Sequence, residues 1–508
     1  RRIVTKLMPL IEGMTSNEAL QDPSLVVGGP GGWLAGTSAC LQLRILEIFN
    51  QLPDAGEFSK HYPLLIKLCS QPFTSSSSLL NSNVVSGSIA SVLLRSVLNG
   101  GDSHLGPWKF EEEPLEEKLN RMTGEKGANH CAGWEGGMSV WGISTSSKSE
   151  SEQRFHSESS PFPQFTSLPV ALVQSQALLF GKLISCAGKK NKIQSLESLI
   201  SCARNAKTTK NQTLQQAQLS CVCYSMLAGV GKSCGESKEV AKKVVELSVA
   251  VFDSGMKIPS IGRGAAEIMA EAVQLADDSF TLRLAKQLCT DLCSAVTPER
   301  QRFLLLTIGC LFRSKGGMCL QTILPNAAAA VFGYIQKFSG DVLLWALHSL
   351  CLIASSAGLT FMPYVQKTLQ LSQKLLVGTA DSASIRPYLG RLTNAMVALL
   401  GPELLPGSKN YLMCKSLMRQ MKSNASFDNA SEGILAALEL VLYAQQLILF
   451  APQAVPATHH VAILMESLSL PHPSLRHTAV VTLRHLTERD PKAVCQERIE
   501  KPLFLALD

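Results

Sequence analysis

Seven apolar stretches open near Gln216, Arg263, Arg302, Val342, Arg386, Ile434 and Leu475, about 39 to 48 residues apart, and each follows a stretch of amphipathic helical pattern. Two helices every forty-odd residues is the period of HEAT and armadillo arrays, in which a unit buries its apolar face only by stacking on its neighbours. The spacing predicts an all-α fold: a HEAT/armadillo-like α-solenoid of stacked antiparallel helix pairs, with a long disordered loop in the first third.

The stretch "DVLLWALHSLCLIASSAG", Asp341 to Gly358, fits that architecture. A second helix is covered by its own partner and by the repeats on either side, so it can be apolar nearly all round. The segment after it, "FMPYVQKTLQLSQKLLVG", carries Val365, Leu369, Ser372 and Leu376 on one stripe and Gln366, Lys367, Gln370, Gln373 and Lys374 elsewhere, as an outer helix should. Trp345 is expected in the core, where truncation to Ala would cost roughly 3 to 5 kcal/mol. Prolines open several second helices, where a missing N–H costs little. Arg263 and Arg476, just inside two of these, are expected to reach an acidic group or a loop carbonyl of a neighbouring repeat.

The 508 residues are 46% hydrophobic and 17% charged, which is ample for a large core, and the 6% aromatic content suits packed helices better than β-sandwiches. Three regions are expected. Residues 1–99 hold N-terminal helical repeats, 100–169 form a Ser/Glu/Gly-rich flexible loop or linker, and 170–508 form the HEAT-repeat solenoid. The opening "RRIVTKLMPLIEGM" has no initiator Met and no signal-peptide progression, and the end "KPLFLALD" breaks into an apolar helix; the chain reads as an internal piece of a longer one.

No chemistry stands out. Fifteen cysteines are scattered singly through apolar stretches, which implies a reduced cytosolic chain, where the sequons at Asn211, Asn424 and Asn429 would carry nothing. The net charge of +7 looks evenly spread, without the basic block that nucleic-acid binding calls for. "GKSCG" at Gly231 to Gly235 matches a nucleophile elbow, but Ser233 follows a helical pattern where the elbow needs a strand. "GVGKS" lacks the rest of a phosphate-binding loop. Cys289 with Cys293, Cys221 with Cys223, and His459, His460, His472, His477 and His485 have no zinc-ligand spacing. The stretch from Glu432 comes closest to a membrane helix, but Glu439, Gln445, Gln446 and Pro452 interrupt it, so only peripheral membrane association is expected. The residues assign no catalytic, cofactor-binding or metal site, no cofactor and no enzyme activity.

Several stretches carry a resemblance: "LLWALHSLCLIASSAG" from Leu343, "PYVQKTLQL" from Pro363, "YLGRLTNAMVALLGPEL" from Tyr388, "AQQLILFAPQAV" from Ala444 and "LRHTAVVTLRHLTERDPKAV" from Leu475. Together they resemble the HEAT-repeat-containing protein 5 family over most of residues 40 to 495, with the plant-type branch the nearer in texture. The resemblance implies a large non-enzymatic scaffold in the cytoplasm, peripheral on trans-Golgi network or endosomal membranes, partnered by adaptor protein complex 1 and its accessory proteins. It would support clathrin-dependent traffic between the two compartments. The alternatives are a transport receptor of the nuclear-import kind, against which the positive charge counts, and a plant-type scaffold affecting carbohydrate balance.

Overall fold

A computed structural model describes residues 32–52, 61–73, 93, 168–229, 238–378, 385–401, 404–424, 431–452, 454–470 and 473–496. They are helices and short turns, with no strand among the described residues, and the all-α solenoid expected from the repeat is what they form. The flexible loop expected at 100–169 lies outside the described residues, except for the last two positions, which open a helix.

The chain divides into two compact units, with changes of unit at 287/288, 294/295 and 314/315. The first contains α1 (Gly32–Gln51), α2 (Tyr62–Cys69), α3 (Leu168–Cys186), α4 (Lys189–Ala206), α5 (Gln212–Gly229), α6 (Lys238–Ser254) and α7 (Pro259–Gln274). Most of α8 (Asp278–Ser294) and nearly all of α9 (Pro298–Lys315) also belong to it. Helices α1, α3, α5 and α7 pack in sequence as one row, and α4 packs on α6 in a second row. The early pair docks on α3 and α4 through specific bonds. Asn50 Nδ2 donates to the Ser175 carbonyl (3.1 Å), Lys182 Nζ donates to the Asn50 carbonyl (3.0 Å), and the Tyr62 and Ser195 hydroxyls share a bond of 2.8 Å.

The second unit contains α10 (Leu324–Lys337), α11 (Asp341–Ala357), α12 (Met362–Gly378), α13 (Arg386–Leu400), α14 (Lys409–Asn424), α15 (Ser431–Phe450), α16 (Ala457–Leu468), α17 (Pro473–Arg489) and α18 (Pro491–Gln496). Its inner row runs α11, α13, α15, α17, each packed on the next, and α12 packs on α14 in the outer row.

Local chemistry sets the helix ends. The Asn211 carboxamide accepts the Thr213 N–H (3.1 Å) and so caps α5, and Asp277 accepts the Phe280 N–H (3.1 Å) ahead of α8. Proline stands in the first turn of α7, α10 and α13. Gly358 (φ +54°) and Gly401 (φ +43°) stop α11 and α13 in a backbone region that side chains disfavour. The helices α5, α7, α9, α11, α13, α15 and α17 begin at 212, 259, 298, 341, 386, 431 and 473, within four residues of the starts read from the pattern.

Helix α11 is buried from Val342 to Ala354 without a break, Trp345 included. Each buried Leu or Ile there contributes roughly 2 kcal/mol relative to exposure. Among the described residues, the stretch long and apolar enough to cross a membrane is Asp341–Val377, not the one from Glu432 that the sequence singles out. Within it, 78% of the most apolar window is buried inside protein, and a 3-10 turn at Gly358–Phe361 separates α11 from α12. Neighbouring helices, not lipid, cover the apolar residues of α11.

Candidate interaction surface

The sequence positions with a hint of chemistry do not converge. Ser233 and the rest of "GKSCG" lie outside the described residues, and the segment before them is helix α5 rather than a strand. Among the described residues no group of three or more His, Cys, Asp or Glu side chains is placed to hold a metal. Cys221 and Cys223 are buried and unbridged, and burial pushes the Cys223 thiol up to about 12. Cys289 is buried and Cys293 exposed. His459 and His460 sit in the first turn of α16; burial, reinforced by His459, lowers the His460 imidazole to about 4. His472 lies outside the described residues, and His485 approaches Glu488 at 3.7 Å.

The outer helices of the two units differ in how they treat charge. In the first unit α4 and α6 are laced together: Lys189 pairs with Glu239 (2.8 Å), Arg204 with Glu246 (2.9 Å), and Lys243 with Glu197 (3.1 Å) and Glu246 (3.2 Å). Lys238 of α6 reaches Asp277 (2.9 Å) and holds that carboxyl down to about 2. These exposed pairs satisfy part of one another's charge, while Lys190 and Lys242 stay exposed outside ion-pair distance of a carboxylate among the described residues.

In the second unit the outer helices α10, α12 and α14 contain no acidic residue at all. Lys337, Lys367, Lys374, Lys409 and Arg419 are exposed and Lys415 is half-buried, and none has an acidic partner among the described residues. Helices α12 and α14 pack side by side, with Gln373 of α12 donating to the Ser416 hydroxyl of α14 at 3.2 Å, and α10 meets α12 through side chains, Phe332 standing 6.5 Å from Tyr364 between ring centroids. Lys367 sits over the Phe332 ring, 4.3 Å from its centroid. Helical spacing aligns Lys367, Gln370, Lys374 and Val377 along α12, and Leu412, Lys415 and Arg419 along α14. On α10 the matching stripe is Asn326, Ala330, Gly333 and Lys337, and a Cβ at Gly333 would meet nothing within 4 Å.

The even charge distribution read from the sequence is therefore wrong in one respect. Residues 315–424 hold ten basic and three acidic residues, and residues 189–257 hold eleven basic and five acidic, so the excess is concentrated in two stretches that the rest of the chain offsets. The cations of residues 315–424 stand singly at helical intervals, so a scan for basic runs misses them, whereas a charge sum over two or three repeats finds them.

Charge also enters the core. Arg313 of α9 forms a forked ion pair with Glu267 of α7, one bond being Nη1 to Oε1 at 3.1 Å, and Glu267 is buried. One turn further along α7, burial raises the Glu271 carboxyl to about 7, Glu267 adding to the rise and Arg313 opposing it. Arg263, expected to reach toward a neighbouring repeat, is fully buried on the same helix. Arg313, which the sequence reading passed over, makes a link between repeats here. In the second unit Asn394 Nδ2 donates to both the carbonyl (3.2 Å) and a carboxylate oxygen (3.0 Å) of the buried Glu439.

Paired helices stacked in two rows define a HEAT-repeat type of helical scaffold. The chain is 31% identical to Protein SWEETIE of Arabidopsis thaliana over 475 residues, 92% of its own length, a similarity that supports membership of that protein's family. It spans about a fifth (20%) of the relative's length. No family model matches the chain. Among solved structures, the crystal structure of an engineered protein aligns over 88% of this chain and 99% of its own at 13% identity; its TM-score of 0.33 is too low to support an argument.

Proposed function

We propose that this chain is a section of a non-enzymatic HEAT-repeat scaffold, cytoplasmic and peripheral on trans-Golgi network or endosomal membranes. In this reading it supports traffic that depends on clathrin adaptor protein complex 1. The observation that carries the scaffold part is the outer row of α10, α12 and α14, a laterally continuous exposed surface on a rigid stacked core, in a chain homologous to SWEETIE over nearly all its length. The adaptor part rests on the family resemblance. A plant relative favours the plant-type branch, the alternative in which the scaffold affects carbohydrate balance, directly or through misrouted transporters or wall enzymes.

The test is affinity capture of the full-length protein from cytosol and membrane fractions at two salt concentrations, with recovered partners identified by mass. Adaptor and accessory subunits that persist at the higher salt are the expected result. Their absence, with a nuclear small GTPase or a metabolic enzyme recovered instead, removes the trafficking assignment and leaves the solenoid.

A further inference from the structure

We propose that the cationic outer stripe of α10, α12 and α14 binds an extended acidic segment of a partner protein. The inference rests on the scaffold reading only in requiring a protein partner, and it adds where that partner sits and by what chemistry it is held.

Three facts select the occupant. The cations Lys337, Lys367, Lys374, Lys409, Lys415 and Arg419 have no acidic partner among the described residues, so the complementary charge is not supplied by the array itself. Five of the six are lysines, compact point charges that pair with scattered anionic groups without needing a forked geometry. The exposed neutral side chains beside them on α12, Gln366 and Gln370, can both donate to and accept from an extended backbone.

Size agrees. Packed helices lie 8 to 10 Å apart, so three axes span roughly 16 to 20 Å, the reach of about six extended residues. The stripe is shallow on α10, where Ala330 and Gly333 stand and the space above Gly333 is open. Val377 (72% exposed) and Leu412 (57%) offer contacts to aliphatic side chains of the segment.

Other anionic macromolecules fit less well. A single-stranded nucleic acid needs exposed aromatic platforms, whereas Tyr364 is half-buried and Tyr411 buried. A lipid surface needs a contiguous amphipathic face of large apolar side chains, whereas Val377 and Leu412 stand on different helices among lysines and glutamines, and the exposed Phe338, Leu359 and Leu405 lie at or beyond helix ends.

The experiment titrates the full chain with a fluorescein-labelled octapeptide of glutamates and two leucines, following anisotropy at low and at moderate salt. Parallel arms use vesicles rich in phosphatidylserine and a labelled oligothymidine. The triple change Lys367→Gln, Lys374→Gln, Arg419→Gln is expected to weaken peptide binding about tenfold or more, a loss of about 1.4 kcal/mol per decade. Lys207→Gln, Lys210→Gln, Lys257→Gln removes as many exposed charges from the first unit and is expected to leave the affinity within twofold. Circular dichroism confirms that both variants are folded.

Equal losses in the two triple variants would mean that binding follows net charge, and the site would be withdrawn. Binding of vesicles or oligothymidine without the peptide would overturn the choice of occupant. Peptide binding that develops only after Glu111, Glu112, Glu113, Glu116 and Glu117 are changed to Gln would give the stripe to the chain's own acidic run instead. Failure of adaptor capture beside intact peptide binding would remove the trafficking function and leave this site.

Discussion

The two outer faces are built from the same unit, an amphipathic helix laid on an apolar one, yet they use charge in opposite ways. On α4 and α6, Lys189, Arg204 and Lys243 each meet a carboxylate of the adjacent helix, while Lys190 and Lys242 stay exposed outside ion-pair distance of one among the described residues. On α10, α12 and α14 the cations face outward with no acidic group on their own helices. Stability does not require the pairing, because each outer helix is held by the apolar stripe beneath it, such as Val365, Leu369 and Leu376 on α12. An unpaired face is thus a choice that leaves the fold intact, and it marks where recognition can occur. The first unit places its consequential charges inside instead, on Glu267 and Arg313.

That contrast can be broken first at Arg313. Arg313→Ala removes its cation from beside Glu267 and Glu271 and is expected to cost about 3 kcal/mol in urea unfolding, whereas Lys374→Ala on the open face should stay within about 0.5 kcal/mol. Equal losses would show that the surface cations are structural after all.

A second test reads pH. The Glu271 carboxyl is raised in the folded state to about 7, so its contribution is fully present below the ordinary carboxylate range and is lost as pH rises through about 7. Stability should decline by up to roughly 3 kcal/mol across that window, and Glu271→Gln should flatten the decline. Asp277, lowered to about 2, works the other way: its contribution is present at neutral pH and is lost as pH falls toward 2. A profile unchanged by Glu271→Gln would place that carboxyl in water rather than in the core.

The smallest effect sharpens the distinction between open stripe and closed interior within the second unit. A Cβ at Gly390 would lie 2.5 Å from the Glu439 Cβ, so Gly390→Ala should cost about 2 kcal/mol. Gly333→Ala, on the open stripe, should gain about 0.5 to 1 kcal/mol by helix propensity alone. Thermal unfolding of the two variants side by side measures both signs.

What was legible in the sequence was what repeats. Starts of the second helices, the all-apolar α11 and the one-sided α12 follow from periodicity, because the same packing problem recurs every forty-odd residues. Pairings between repeats were not legible. Arg313 and Glu267 are 46 residues apart, and nothing in either local stretch says that the two side chains share a boundary. The cationic stripe failed for a different reason: Lys337, Lys367, Lys374, Lys409, Lys415 and Arg419 come from three helices separated by inner ones, and only stacking brings them to one face. Likewise Asn211 reads as a sequon, whereas its carboxamide oxygen is a helix cap.

Helix α11 has a consequence in time. Its coat comes from α10, made just before it, and from α13, which begins at Arg386. At 5 to 20 residues per second the ribosome completes α13 about 2 to 9 s after the end of α11. For those seconds a nascent helix as apolar as a membrane span has half its surface uncovered, and whatever chaperone or insertion machinery waits at the tunnel exit competes with a repeat not yet made.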